Sequence, residues 1–249
     1  PHLVENVFSA GAGDRLVGAV SYSDFPATAA GIPRVGSSRA WSLEAVLALD
    51  PDLVMIWGSG NGMDAVSALA RLGIPTYVSE LRSLADIPAS IRAIGRLAGS
   101  AAHGEREAVR IEQGIAELRA RYAHRARLSV FYQIWHDPLQ TINGKHLISK
   151  VMELCAGDNI FAKERALAPQ VSLESVLRAD PAVILAGGMG EARPDWLEGW
   201  RRFPRLRAVR TGALLHVNPD LVQRPTARIL DGARAVCEQF DDVRDRTGR

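Results

Sequence analysis

The chain has 249 residues, of which 47% are hydrophobic and 23% are charged, and this composition argues against a disordered protein. The formal net charge of +2 and the lack of a dense run of Lys and Arg argue against nucleic-acid binding. The apolar runs are far shorter than the roughly 20 residues that a membrane-spanning helix needs.

Aliphatic runs predict strands, and apolar residues at helical spacing predict helices. A long amphipathic helix is predicted over Glu105–Tyr122, where Ile111, Ile115 and Leu118 recur at helical spacing. The elements predicted before it are a strand over Leu16–Val20, a strand over Leu53–Trp57, a helix over Asp64–Leu72 and a strand over Thr76–Val78. Those predicted after it are a strand over Leu128–Ile134, a helix over Leu147–Cys155, a strand over Leu214–Val217 and a helix over Thr226–Cys237.

An internal repeat is the most informative feature. Residues 42–58 and residues 172–188 align without gaps at an offset of 130, with 8 of 17 positions identical. Each copy begins with a Ser suited to cap a helix and a Glu in the first helical turn. Asp-Pro then ends the helix, and an aliphatic run typical of a buried parallel strand follows.

A repeat of half the chain predicts an α/β protein with two similar lobes, each with a central parallel sheet. We expect an N-terminal lobe over 1–103, one rigid connecting helix over 104–124 and a C-terminal lobe over 125–249. Ligands of α/β sheets collect beyond the carboxyl ends of the strands. Tyr22, Trp57, Trp135 and Asp220 lie at or just beyond the ends of predicted strands, so they predict a flat, apolar ligand held between the lobes.

One segment suggests an alternative function. Gly58 to Gly62 follows a strand and precedes a helix, and Glu80 lies 22 residues after Gly58. This is close to a dinucleotide-binding fingerprint with its ribose-binding acid. Met63 stands where the third glycine is needed, however, and the other interpretation is a glycine-rich turn. Neither a catalytic motif nor a metal-ligand cluster is found, so we predict no enzyme, cofactor or metal site.

Cysteine count and charge leave two further questions open. Cys155 and Cys237 are either buried free thiols or one disulfide in an oxidising compartment. Glu44 and Glu174 occupy the same helix-start position in the two repeats. They either stabilise the helix dipole or dock a partner with two-fold symmetry.

Several motifs resemble those of the periplasmic substrate-binding proteins with a rigid helical backbone, which serve ABC importers of metal chelates, and in particular the cobalamin receptors. Segment 22–26, Tyr-Ser-Asp-Phe-Pro, is similar to their Tyr-Ser-Asp-Tyr-Pro. Trp57 with Gly60-Asn61 resembles Trp-x-Gly-Gly-Asn. Segment 155–161 resembles their Cys-Gly-Gly-x-Asn-Ile-Phe segment. Segment 169–174, which contains Pro-Gln-Val-Ser followed by Glu174, resembles the signature of their second lobe.

The resemblance implies a role for each matching residue. Tyr22 and Trp57 would line the corrin pocket, and Asp220 and Arg224 would hydrogen-bond the corrin amides. It also implies a disulfide between Cys155 and Cys237.

The resemblance further implies a periplasmic location, a monomer, and docking of Glu44 and Glu174 to arginines of an inner-membrane permease dimer. His2 stands at the cleft edge in place of a small residue, so we add it to the predicted ligand contacts. A receptor for haem or an iron siderophore and, less favoured, a dinucleotide-dependent oxidoreductase are the alternatives.

Overall fold

The computed structural model describes residues 1–38, 40–188 and 194–248. The chain divides into two compact units, Pro1–Glu112 (unit 1) and Gln113–Arg249 (unit 2). The helix Ala101–Tyr122 runs across this division, and the lobe boundaries at residues 103 and 125 stay a prediction. Within the described ranges, every helix is too short or too polar to span a membrane.

Unit 1 is built on a two-stranded parallel sheet. Its elements are α1 (His2–Ser9), 3-10 helices Gly13–Arg15 and Ala27–Gly31, α2 (Leu43–Ala48), β1 (Val54–Trp57), α3 (Gly58–Asn61), α4 (Met63–Arg71), β2 (Thr76–Ser79), α5 (Asp86–Leu97) and the first part of α6 (Ala101–Tyr122). β1 pairs with β2 in parallel. Val46, Ile56, Ala65 and Leu69 form a core that joins α2, β1 and α4. This core holds β1 against both helices.

Unit 2 contains a four-stranded parallel sheet. Its elements are β3 (Leu128–Gln133), β4 (Trp135–His136), β5 (Leu139–Gln140), α7 (Leu147–Leu154), β6 (Gly157–Asn159), α8 (Leu173–Ala179), β7 (Val183–Ala186), a 3-10 helix (Asp195–Arg202), α9 (Arg207–Arg210), β8 (Leu214–His216), α10 (Pro219–Val222) and α11 (Ile229–Thr247). The strand order is β6-β3-β7-β8, and β4 and β5 form a small antiparallel hairpin. All four residues of β7 are buried, as expected for a strand paired on both sides.

The two copies of the repeat fold in the same way. Ser42 Oγ accepts a hydrogen bond from the Ala45 N–H at 3.1 Å, and Ser172 Oγ accepts one from the Ser175 N–H at 3.2 Å. Asp50 and Asp180, which end the two helices before proline, both have left-handed backbone angles, with φ of 45° and 41°. The predicted cap, helix, stop and strand are therefore confirmed in each copy.

Two predicted elements need correction. Leu16–Val20 is not a strand, because its backbone pairs with residues 33–35 only around the isolated bridge between Ala19 and Arg34. The last helix does not end at Cys237. It continues to Thr247, because Phe240 and Val243 extend its buried face at helical spacing.

The disulfide between Cys155 and Cys237 is present and joins the end of α7 to α11. Both cysteines are buried. Beside them, the buried Arg244 guanidinium donates hydrogen bonds to the Cys155 carbonyl at 2.6 Å and to the Ala126 carbonyl at 2.8 Å. The disulfide and this arginine together anchor α11 to the remainder of unit 2.

Candidate functional site

Trp57 ends β1, and the turn after it is built around its indole. The side chain is 38% exposed. The backbone N–H of Trp57 donates to Asn61 Oδ1 at 2.8 Å, and Asn61 Nδ2 donates to the Ser38 carbonyl at 2.7 Å. The indole lies so close to Gly60 that a Cβ on Gly60 would overlap it. Glycine is therefore needed at position 60 for Trp57 to rest on the turn.

This geometry opposes the dinucleotide alternative. The Trp57 indole covers the Gly60 backbone, which a pyrophosphate would have to approach closely. Glu80, the acid expected to bind a ribose, accepts hydrogen bonds from the Ser59 N–H at 2.8 Å and from its hydroxyl at 3.0 Å. The carboxylate thus holds the turn in place.

His2 is 7% exposed and lies edge-on to Trp57, with the ring centroids 5.4 Å apart and the planes at 89°. Its contact with the indole supports Trp57 from the α1 side. A direct contact of His2 with a ligand stays a prediction.

Tyr22 is the most exposed large hydrophobic side chain of the described residues, at 77%. Its φ of 64° is uncommon for a residue with a bulky side chain. The turn is held because the Ser21 N–H and hydroxyl both donate to the Gly36 carbonyl, at 2.7 and 3.0 Å. Strained backbone of this kind concentrates at functional sites. The Tyr22 side chain is therefore held exposed to solvent instead of being packed in a core.

A cavity of about 550 Å³ lies inside unit 1, along α1, residues 15–20 and β1. Of the predicted ligand contacts, His2 and Trp57 reach its lining and Tyr22 does not. His2 and Trp57 therefore border this cavity, whereas Tyr22 lies outside it.

Asp220 and Arg224 lie close together after β8, and their contact with a ligand stays a prediction. Asn218 caps α10 by accepting the Asp220 N–H at 2.9 Å. The Asp220 carboxylate then forms an ion pair with Arg224 at 3.2 Å, with side chains 33% and 18% exposed. The pair offers both hydrogen-bond donors and acceptors at the carboxyl edge of the unit 2 sheet.

Trp135 follows β3 at the same edge of the sheet. Its ring centroid lies 5.0 Å from that of His136, and the His136 ring stacks on Trp196 with centroids 5.8 Å apart and planes at 14°. The sequence singled out Trp135 but missed Trp196. The signal available was an aromatic residue in the connection after β7, the strand beside β3.

Glu44 and Glu174 are both exposed in the first turns of α2 and α8. Neither forms an ion pair with a residue in the described ranges. The pKa of the Glu174 carboxyl is lowered by hydrogen bonds from its own backbone N–H and from the Ser172 hydroxyl. Glu174 is therefore a carboxylate at neutral pH. In residues 1–38, 40–188 and 194–248, the His, Cys, Asp and Glu side chains form no cluster suited to a metal ion.

Each of the two α/β units carries aromatic or polar side chains at the ends of its parallel strands, an arrangement typical of ligand-binding proteins. A model of the periplasmic binding protein family matches residues 2–221, and the chain belongs to this family.

Within this family, the chain is similar to proteins that are named vitamin B12-binding proteins. The chain is 32% identical to a vitamin B12-binding protein of Vibrio parahaemolyticus, over 98% of this chain and 88% of the relative. It is 34% identical to a vitamin B12-binding protein of Vibrio cholerae, over 95% and 85%.

The crystal structure of the periplasmic vitamin B12-binding protein of Vibrio cholerae matches with a TM-score of 0.88 and 33% identity, over 98% of this chain and 95% of that chain. A periplasmic haem-binding protein of Roseiflexus matches with a TM-score of 0.82 at 21% identity, over 97% and 95%, which shows a shared fold.

Proposed function

We propose that this chain is a periplasmic receptor that binds cobalamin, or a closely related corrinoid, and delivers it to an ABC importer. The observation that carries the proposal is the identity of 32–34% to vitamin B12-binding proteins along nearly the whole chain. The haem-binding structures share the fold at lower identity and do not favour haem. The receptor binds and releases its ligand without chemistry.

The ligand contacts in this proposal come from exposed rings and one ion pair. Tyr22 and Trp57 offer aromatic faces for the apolar surface of the corrin. Asp220 and Arg224 offer an acceptor and a forked donor for amide groups at the ligand's periphery. Such a mixture of apolar faces and few polar groups is typical of small-molecule sites. Trp135 adds a further ring.

Delivery in this proposal depends on Glu44 and Glu174, which dock to arginines on the two halves of a permease dimer. Their exposure, their equivalent positions in the repeat and their lack of an ion pair with any described residue support this role. Stabilisation of the helix dipole alone does not explain why both copies carry Glu, because Asp, Ser or Thr would serve that purpose as well. Bidentate pairs between carboxylate and Arg would also fix the orientation of the receptor.

A titration panel tests the ligand assignment. Purified protein is titrated with cyanocobalamin, cobinamide, haem and a ferric siderophore, with binding followed by absorbance and protein fluorescence. The proposal expects saturable binding of the corrinoids and much weaker binding of haem and siderophore. Tight binding of haem or siderophore without corrinoid binding would replace the assignment.

A further inference from the structure

We propose that Trp135, His136 and Trp196 form a ring platform in unit 2 that contacts the face of the corrinoid, with Trp196 as a specificity-determining contact. This inference rests on the proposed function. It adds His136 and Trp196 to the ligand contacts, and it defines the ligand class as one with a broad conjugated or apolar face.

The first support is the arrangement of the three rings. The His136 ring centroid lies 5.0 Å from that of Trp135 and 5.8 Å from that of Trp196, on which it stacks, so the three rings are consecutive neighbours. His136 is exposed, and both indoles are partly exposed. Such large rings normally bury themselves in a core, so an accessible series of three favours a ligand contact.

The second support is that buried groups hold the platform in place. Gln133, 2% exposed, ends β3, and its Nε2 donates to the Trp135 carbonyl at 3.3 Å. Its Oε1 accepts a hydrogen bond at 2.7 Å from Nε1 of Trp200, which is 5% exposed and lies in the 3-10 helix that carries Trp196. Trp135 Nε1 also donates to the Asp137 carbonyl at 2.9 Å. One buried amide therefore links both segments of the platform.

The third support is that the platform and the polar groups of the proposed site follow neighbouring strands at one edge of the sheet. β3, β7 and β8 are consecutive in the sheet and parallel, so the connections that follow them leave from the same edge. The platform comes from the first two connections, and the Asp220–Arg224 ion pair comes from the third. An apolar face and hydrogen-bonding groups at the same sheet edge match the face and amide periphery of a corrinoid.

The test compares Trp196→Phe with Trp196→Leu in calorimetric titrations with cyanocobalamin. Both variants keep an apolar side chain at a partly exposed position, so both should fold, and thermal melting checks this. Phe keeps an aromatic face and should bind within about threefold of wild type. Leu should bind about 5- to 150-fold more weakly, the range expected for the loss of one aromatic stacking contact.

The outcomes separate the platform from the proposed function. Wild-type affinity in both variants, while wild-type protein binds cyanocobalamin, would overturn the platform and leave the proposed function standing. Failure of the wild-type protein to bind any corrinoid would overturn the proposed function and the platform with it. Weakening by Leu alone supports both. Equal weakening by Phe and Leu would refute the requirement for an aromatic face.

Discussion

Replacing Gly60 with alanine should displace Trp57 without unfolding unit 1. The new methyl group would lie well inside the 3.4 Å at which ordinary van der Waals contact with the indole begins. Trp57 is 38% exposed, so its ring can move outward instead of straining the core. Alanine also stabilises the short helix α3 by up to about 1 kcal/mol compared with glycine. The free energy of unfolding should therefore change by less than about 1 kcal/mol.

Ligand affinity should change far more than stability. Stacking on an aromatic ring contributes about 1 to 3 kcal/mol, so losing the Trp57 position should weaken cyanocobalamin binding roughly 5- to 150-fold. The assay is calorimetric titration of Gly60→Ala and Trp57→Ala. Gly31→Ala is the matched control, because its Cβ would meet nothing within 4 Å. Wild-type affinity in both Gly60→Ala and Trp57→Ala would refute the assignment of Trp57 as a ligand contact.

Three further outcomes follow from other parts of the chain. The double variant Cys155→Ala/Cys237→Ala should lose about 4 to 5 kcal/mol of unfolding free energy in urea, the range for a loop closed across 82 residues, and a loss below about 1 kcal/mol would contradict a stabilising bond. Burial lowers the pKa of His146 to about 4, below its ordinary value of about 6.5. Protonation therefore favours the unfolded chain, and stability should fall by up to about 3 kcal/mol from pH 6.5 towards pH 4. His146→Asn keeps a capping acceptor for α7, so it should show a smaller fall, and an equal fall would exclude His146 as the source. Glu44→Ala/Glu174→Ala should bind cyanocobalamin normally but lose uptake in cells, whereas normal uptake would reject docking.

The sequence predicted the repeat and its structural consequence because local signals agreed. Ser42 and Ser172 are capping residues, Asp-Pro ends each helix, and aliphatic runs follow. The same agreement did not hold for Leu16–Val20. Its apolar pattern is real, but strand formation needs a hydrogen-bonded partner along several residues, and pairing of that kind is a tertiary property. Helix α11 extends beyond the predicted end at Cys237 because its apolar periodicity continues to Phe240 and Val243.

The site could be predicted only where motifs or strand ends marked it. Trp57 ends a strand, and Trp135 and Asp220 come soon after one, so their neighbourhood could be inferred from topology. The support of Trp57 by His2 and the link from Gln133 to Trp200 could not be inferred, because they join segments far apart in the chain. Side-chain contacts of this kind depend on packing, which a single sequence does not specify position by position.

The central claim is that this chain is a corrinoid receptor whose binding depends on exposed aromatic rings. The most direct measurement is a calorimetric titration of cyanocobalamin into wild-type protein and into Tyr22→Ala/Trp57→Ala, with thermal melting of both as a control for folding. The claim predicts one saturable site in the wild-type protein and at least tenfold weaker binding in the double variant, with both proteins folded. An absence of cyanocobalamin binding by folded wild-type protein, or equal affinity in the two proteins, would contradict it.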